Sequence, residues 1–563
     1  MKTVVALTSL LASLVLVGCS PGQPGGSSGG SGGFEVTGYA APLTDSEYNS
    51  LTAEQQYQVL NKLLGTIYKG MPVDEFFNVS AGLTNPQVQF TDGLRNIRTA
   101  LRTDMDASAR AAIDASIVGL DAEGNENTQL AIYTFDEDRP RSLPLARIVE
   151  YPVSRDAYVE WMAYFMANTI LFSPALEYET TDIVNVQNVY RRLAIGIQND
   201  LTVRQLVAQQ LPTLDRWRVS RSPQNHALEA YELYLGLFDT EEDSREGGIA
   251  CGDLYLTDED EGYLLARTDF PNTTPQYILD DTFEITTCDD FHAVIAGHPL
   301  VIPRVTEVII NYMMDGRTIT DRLNMVESIV GSGAETFEEI ITAILFSREY
   351  LMNTERPESY EESFMALLST LKWDVRHNRD QVDDQIFDRL TSNPNNTIYL
   401  GHMGWHSMDL KIGRTPFVPM DALSFSNYHK AIREELLREH EAYRGAMVTV
   451  NMEDSNGNIN GVDMVAEGLI FGDDGNGGVE TLQYIADLSP QEYVDLLFLT
   501  GLARRATSVE MTDLIDYLDN VVDHLVVSNG NLEVRDGRHD DIAQEVMDYL
   551  SRLPEFYYVK TVN

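Results

Sequence analysis

Apolar residues recur every three to four positions along most of this chain, a spacing typical of amphipathic helices. Near the start of the pattern, Thr52 and Gln55 fit a capping box, which favours a helix beginning there. The same period predicts helices at 95–118, 155–172, 184–198, 203–210, 227–238, 303–315, 319–330, 337–351, 360–371, 423–444, 490–503, 508–525 and 540–550. Ser508 and Asp540 are suitable N-cap residues for the last two of these helices.

Strand patterns are short by comparison. Residues 129–135 alternate between apolar and polar side chains, and 447–450 and 468–471 form short apolar runs beside glycine-rich turns. No period of 20–50 residues repeats along the chain, so a regular solenoid is not expected. We predict a mainly α fold, in which multi-helical packed units carry small β-hairpin elements.

The first 33 residues carry the pattern of a bacterial lipoprotein. Lys2 precedes an apolar run at 4–17, and the run ends in a lipobox whose Cys19 would take the lipid. We expect 1–18 to be a signal peptide, and 19–33 to be the lipidated cysteine with a Gly/Ser/Pro tether of about 20 Å reach. The alternative is a plain secretory peptide with an incidental cysteine. Because Ser20 follows the lipid site, the expected location is the bacterial cell envelope, at the outer membrane.

Composition narrows the classes of partner. Hydrophobic residues make up 43% of the chain, which supports packed cores and excludes global disorder. The 87 acidic and 40 basic residues give a formal net charge of −47. Such a field repels phosphate backbones, so nucleic-acid binding is not expected. The charge indicates either a solubilising surface or binding of cations or of a basic partner.

Two further cysteines, Cys251 and Cys288, form a natural pair in an oxidising compartment. A disulfide between them would close an acidic, loop-like segment. By lowering the entropy of the unfolded chain, it would stabilise the folded protein by roughly 3.5–4 kcal/mol. Two free buried thiols are the alternative. After the tether, about 530 residues are enough for two to four domains. We expect an N-terminal α region with minor β structure at 34–150, a helical region with the disulfide-closed loop at 151–300, a second helical region at 301–445, and a C-terminal helical region with a β-turn insertion at 446–563.

A metal site is one candidate for chemistry. His402 and His406 are spaced so that both imidazoles could share one helix face and bind Zn²⁺, with Asp409 as a third ligand. The glycines at 401 and 404 favour a loop instead, in which that spacing loses its geometric meaning. The glutamate that metalloproteases place directly after the first histidine is absent from this segment.

A calcium loop is a second candidate. Asn456, Asn458 and Asn460 place side-chain oxygens at the first, third and fifth positions of the template, and Glu467 stands at the twelfth. Asparagine replaces the usual aspartate at the first position, which weakens the charge of the site. A β-hairpin turn is the alternative. Neither Ca²⁺ nor Zn²⁺ is firmly implied, and no other cofactor is expected.

Three short motifs resemble those of a known group of proteins. Arginine and Glu–aromatic patterns of that group occur in the helix end ILFSREYL at 344–351, in the segment LTGLARRATSVEMTD at 499–513 and in the chain end at 549–557. A second similar pattern lies at 197–237. This combination resembles large secreted bacterial proteins of unknown function, some of which are joined to haem modules. The resemblance implies a helical fold outside the cytoplasm, but the chain has no C-x-x-C-H motif, so haem attachment does not follow.

The chain has no nucleophile elbow and no phosphate-binding glycine loop. We therefore expect a lipid-anchored extracytoplasmic binding or assembly protein of the bacterial envelope, non-catalytic, with an envelope protein as its partner and the membrane reached through the lipid. The alternative function is a metal-assisted hydrolase that uses His402 and His406.

Overall fold

In a computed structural model of the chain, the described residues are 36–70, 90–117, 147–148, 150–170, 183–220, 222–259, 262–358, 362, 450–453, 459–462, 471–473, 479–481, 488–535 and 538–562. These residues form a mainly α-helical protein with small two-stranded β-sheets, which confirms the predicted fold class.

The described helices are α1 (Asp45–Asn49), α2 (Ala53–Thr66), α3 (Gly93–Ala100), α4 (Ala107–Ile117), α5 (Arg155–Thr169), α6 (Ile183–Gln198), α7 (Val203–Gln210), α8 (Leu214–Ser220), α9 (Pro223–Ala230), α10 (Glu241–Ala250), α11 (Cys288–Gly297), α12 (Val301–Met313), α13 (Ile319–Gly331), α14 (Phe337–Leu345), α15 (Pro490–Leu502), α16 (Ser508–Asn520) and α17 (His539–Leu550). Short π-helical turns follow α9 at Tyr231–Leu235 and α14 at Glu349–Asn353, and 3₁₀ turns lie at Gly38–Ala40 and Pro554–Tyr557.

Helix starts are set largely by local sequence. The predicted capping box of α2 is present, with Thr52 accepting from the amide of Gln55 and the Gln55 side chain binding back. Six further helices (α1, α7, α11, α14, α15 and α16) begin with the same reciprocal bonds. Each box satisfies amides that the helix itself leaves without partners.

The strands are β1 (Leu254–Glu259), β2 (Gly262–Arg267), β3 (Gln276–Ile278), β4 (Phe283–Ile285), β5 (Arg356–Pro357), β6 (Val450–Glu453), β7 (Ile459–Val462), β8 (Phe471–Asp473), β9 (Val479–Thr481), β10 (Leu525–Ser528), β11 (Asn531–Val534) and β12 (Tyr558–Val559). Among the described strands all pairs are antiparallel, and five of the six pairs join strands that are neighbours in sequence. The sixth pairs β5 with β12.

The described residues belong to two compact units. The first unit draws on Met1–Pro42 and Met162–Tyr350. Its central helix is α12, in which 11 of 13 residues are buried. A helix with so many buried residues must be surrounded, and α12 packs against α7, α11, α13 and α14. Phe165 and Tyr312 meet edge to face in this core, with ring centres 5.0 Å apart.

The second unit draws on Leu43–Trp161, Leu351–His402 and Val418–Asn563. Its helix α15 packs against α16 and α17 and buries Leu497 and Phe498 completely. The Tyr57 hydroxyl of α2 donates to the Leu499 carbonyl at 2.9 Å. Residues of the N-terminal and C-terminal parts of the chain therefore share this core.

Several predicted elements need correction. The segment between the two cysteines was expected to be loop-like, but it contains the hairpins β1–β2 and β3–β4. The helix expected at 508–525 ends at Asn520 and is followed by the unpredicted hairpin β10–β11. The N-cap residues of α16 and α17 are Thr507 and Arg538, one and two positions before those predicted.

The helix expected at 227–238 also ends early. Its α-helical part stops at Ala230, and the π turn that follows is ended by Gly236 in the left-handed conformation. A side chain at Gly236 would also press on Arg304, whose Cδ lies 3.0 Å from the position of a Cβ atom. The predictions at 129–135 and 423–444, and nearly all of that at 360–371, fall outside the described residues.

Within the described ranges, no single helix is long and apolar enough to cross a membrane. Helices α11 and α12 satisfy length and composition only when counted together, and they are bent by 64°.

Candidate functional site

Two histidines and a disulfide meet in the interior of the first unit. We call His226, His292, Cys251 and Cys288 the histidine–cystine cluster. Its first member, His226, lies on α9, whose start is fixed by the Ser222 side chain and by Pro223 in the first turn. The His226 imidazole stacks on Trp217 with ring centres 4.4 Å apart and is fully buried.

Helix α11 supplies two members of the cluster. Cys288 is its first residue, and His292 lies one turn later, so both side chains are on the same helix face. Thr287 and Asp290 form the capping box that fixes the start of this helix. The His292 Nε2 atom lies 3.3 Å from Cys288 Sγ and 2.8 Å from His226 Nε2. The capping box thus fixes the first turn of α11, from which Cys288 and His292 project.

The predicted disulfide is present and completes the cluster. Cys251, at the C-terminal end of α10, is joined to Cys288, and both residues are fully buried. The bond links α10 to α11 across a sequence separation of 37. It therefore closes the loop that carries both β-hairpins.

Both imidazoles of the cluster are held neutral. Burial lowers the pKa of His226 well below its usual value, and the guanidinium of Arg216 lowers it further. Burial likewise lowers the pKa of His292 to about 4, against the attraction of Asp289. At neutral pH one Nε2 atom therefore donates its hydrogen to the other. The Nδ1 atom of His226 is buried and has no hydrogen-bond partner among the described residues.

Neutral imidazoles and cysteine sulfur are ligands that zinc prefers. One ligand atom from each of His226, Cys288 and His292 lies within 4.8 Å of the others. The sulfur atoms of Cys251 and Cys288 are bonded to each other, and a strong metal ligand would have to be a thiolate. The cluster thus brings together side chains of the types that bind zinc, but its two sulfur atoms are bonded to each other.

The disulfide-closed segment exposes three aromatic side chains. Phe270 is 88% exposed, and Tyr255 on β1 and Tyr277 on β3 are 44% and 48% exposed. We call these three residues the aromatic loop surface. Residues 252–287 carry nine carboxylates and one arginine, so the aromatic side chains stand in a strongly acidic setting.

The second unit contains a buried polar network around Tyr151. The Tyr151 hydroxyl donates to Asp114 at 2.6 Å, and Arg147 bonds the same carboxylate at 3.1 Å while lying 3.6 Å from Glu160. Burial raises the pKa of Glu160 to about 7, outweighing the attraction of Arg147. Lys69 donates to the Tyr151 carbonyl, and burial lowers the pKa of this lysine to about 7. Such shifts occur at functional sites but also in structural ion networks.

Of the site residues predicted from the sequence, some lie within the described ranges and others lie outside them. Cys19, His402, His406 and Asp409 lie outside the described residues, as do Asn456, Asn458 and Glu467. Asn460 lies in β7, opposite Met452 of β6, so a hairpin is observed at this position. The zinc site at 402–409 and the calcium loop stay predictions from the sequence.

The sequence analysis paired the cysteines but missed the histidines. The i, i+4 spacing of Cys288 and His292 was the available signal on α11. Nothing in the sequence connects them to His226, which lies 66 positions before His292. Comparison of the chain with protein-family models, with curated proteins and with solved structures found no match.

Proposed function

We propose that this chain is a non-catalytic binding protein of the bacterial envelope, anchored by lipid on Cys19 and working outside the cytoplasm. The lipobox and the tether at 19–33 support the anchor. The disulfide between Cys251 and Cys288 supports the compartment, because such bonds persist in oxidising surroundings.

The observation that carries the binding function is the aromatic loop surface. Aromatic side chains are enriched at protein interfaces because they bury a large area at a small cost in conformational entropy. The disulfide fixes both ends of the segment that presents Phe270, Tyr255 and Tyr277, so less freedom is lost on binding. The partner that fits is an envelope protein with an apolar pocket and a basic rim, because the segment is acidic.

The binding function is tested by photo-crosslinking in the native envelope. A photoreactive phenylalanine analogue at position 270 should capture one discrete partner. The substitution Phe270→Ser should reduce co-purification of that partner by at least about tenfold, since buried aromatic residues often dominate an interface.

The matched control is Val527→Ser, which alters a similarly exposed apolar residue on the hairpin β10–β11. It should leave co-purification unchanged. Equal co-purification of the partner with the wild type and with Phe270→Ser would exclude the aromatic loop surface as the binding site.

The anchor is tested separately with Cys19→Ala. The wild-type chain should incorporate labelled fatty acid and enter the detergent phase, and the variant should do neither. A Cys19→Ala chain that still fractionates with membranes would contradict a lipid anchor at this residue.

A further inference from the structure

We propose that reduction of the disulfide converts the histidine–cystine cluster into a four-ligand Zn²⁺ site. The ligands would be the two thiolates of Cys251 and Cys288 and the Nε2 atoms of His226 and His292. The oxidised cluster would not hold the ion, so the disulfide acts as a redox gate on metal binding. This site would form whether or not the aromatic loop surface binds a partner.

The distances among His226, His292 and Cys288 require only small movements. Tetrahedral zinc with bonds of about 2.0–2.3 Å places its nitrogen ligands about 3.3 Å apart and its sulfur ligands about 3.8 Å apart. The two Nε2 atoms are 2.8 Å apart, so the imidazoles must separate by about half an ångström. Once the bond is broken, rotation about the Cα–Cβ bonds of Cys251 and Cys288 can move the two sulfur atoms apart to the separation that zinc requires.

Charge explains why both thiolates are needed. Zn²⁺ held by two imidazoles alone would leave two positive charges in a buried site, whereas the nearby buried guanidinium of Arg216 has Glu229 as its partner at 2.6 Å. An uncompensated buried charge of this kind is costly. Two thiolates cancel the charge of the ion, so the four-ligand site is neutral overall. The intact disulfide cannot supply that compensation.

The surroundings favour metal ligands in other ways. The Nε2 atoms of His226 and His292 lie 2.8 Å apart in the interior of the unit, so both can reach one ion. Trp217 and Phe291 pack against the His226 ring and exclude water from that side. In the zinc-bound form each imidazole carries its hydrogen on Nδ1 and presents the Nε2 lone pair to the ion.

The redox step balances as a two-electron exchange. A thiol reductant supplies two electrons, is itself oxidised to a disulfide, and leaves Cys251 and Cys288 as thiols. Zinc binding then releases one proton from each thiol. For the return step, a disulfide oxidant accepts two electrons from the two thiolates, takes up two protons and leaves as two thiols. The bond between Cys251 and Cys288 re-forms, both sulfur ligands are lost, and the ion is released.

Metal content of the full chain tests the gate. The purified chain is treated with a phosphine reductant, loaded with zinc and desalted, alongside an untreated sample. We expect one tightly bound zinc ion per reduced chain. In the oxidised chain we expect no zinc bound at the cluster. Co²⁺ in place of zinc should give thiolate-to-metal charge-transfer absorption in the reduced chain only.

Matched variants identify the ligands. His226→Gln and His292→Gln should each weaken zinc binding by more than about 100-fold, beyond the effect typical of residues that only support a ligand. His298→Gln, which alters a half-buried histidine just after α11, should bind zinc as the wild type does. The double variant Cys251→Ser with Cys288→Ser should lose the Co²⁺ charge-transfer band, and this result also excludes Cys19 as its source.

Two results would overturn the zinc site: no zinc in the reduced wild type, or undiminished zinc in both histidine variants. If those variants do not fold, judged by helical circular dichroism in the oxidised state, the wild-type Co²⁺ spectra decide. Equal spectra before and after reduction would then exclude the gate. A reduced chain that loses helix without metal and regains it with zinc would support the site, since metal binding is coupled to folding.

Discussion

Arg356 and Glu362 form a buried ion pair in the second unit. Their side chains are 0% and 3% exposed, and two guanidinium nitrogens bond the two carboxylate oxygens at 2.7 and 2.6 Å. Arg356 also donates to the Pro357 carbonyl in β5. Attraction between buried charges is largely offset by the cost of removing them from water, but removing one partner leaves the other uncompensated.

We predict that Glu362→Gln lowers the free energy of unfolding by about 3 kcal/mol, because it removes the carboxylate that the buried Arg356 guanidinium bonds through two nitrogens. Urea unfolding measures the change. The control is Asp523→Asn, which removes the exposed carboxylate paired with Arg535 and should cost below about 1 kcal/mol. Equal effects of the two substitutions would show that burial does not govern the first pair.

The buried network around Tyr151 gives a pH dependence. In the folded protein the pKa of Glu160 is about 7, against 4.5 for an ordinary glutamate. Between these values the unfolded chain binds fewer protons than the folded protein, so the free energy of unfolding falls as pH rises. The slope from this group is at most about 1.4 kcal/mol per pH unit.

We predict that Glu160→Gln removes this slope. From about pH 5 to pH 7, the variant should gain about 2 kcal/mol of stability relative to the wild type. Urea unfolding across that range measures it, with Glu54→Gln, an exposed carboxylate in the first turn of α2, as control. Parallel pH profiles for wild type and Glu160→Gln would show that the carboxyl group ionises normally in the folded protein.

At the scale of elements, one capping box bears directly on the histidine–cystine cluster. The Thr287 hydroxyl accepts from the Asp290 amide at 3.1 Å, and the Asp290 carboxylate accepts from the Thr287 amide at 2.9 Å. The hydrogen bonds that the carboxylate accepts from the Thr287 amide and hydroxyl lower the pKa of Asp290 below its usual value. They hold the turn of α11 from which Cys288 and His292 project.

We predict that Thr287→Ala costs about 1 kcal/mol in free energy of unfolding, the usual effect of losing an N-cap side chain. Thr287→Ser keeps the hydroxyl and should cost much less. Both are compared with the wild type by urea unfolding of the oxidised protein. Equal losses in the two variants would assign the effect to the threonine methyl group.

The elements that could be predicted are those whose signal is local. The capping box at Thr52 and the helix Val203–Gln210 were found from a few neighbouring residues, because their caps and apolar spacing lie within the helix itself. The hairpin β10–β11 was missed because its Val526 and Val527 are exposed, so it lacks the alternation that marks a half-buried strand.

The candidate site divides in the same way. The pairing of Cys251 with Cys288 followed from counting cysteines in an oxidising compartment. The contact between His226 and His292 depends on how α9, α10 and α11 pack, and no local pattern encodes that arrangement. The site could therefore be predicted only as far as its disulfide.

At the scale of the whole molecule, the net charge of −47 opposes compaction by self-repulsion. Salt screens this repulsion, since the Debye length falls from about 30 Å at 0.01 M to about 3 Å at 1 M. We predict that the thermal unfolding midpoint rises as NaCl increases over this range. A flat or falling midpoint in thermal scans would show that attractive ion pairs outweigh the net repulsion.

The effect of calcium on the unfolding midpoint distinguishes general charge screening from binding at a specific ion site. In a calcium loop, residues 456–467 would wrap around one ion, but Asn460 and Gly461 lie in β7 and pair with Met452 and Asn451 of β6. Pairing commits their backbone to the strand ladder instead of to an ion.

We therefore predict that CaCl₂ and MgCl₂ at equal ionic strength raise the unfolding midpoint equally, up to calcium of about 10⁻³ M, the weak limit for extracellular sites. An additional rise with calcium that disappears in Glu467→Gln would instead establish an ion site at this turn. A rise that persists in the variant would place calcium elsewhere on the acidic surface.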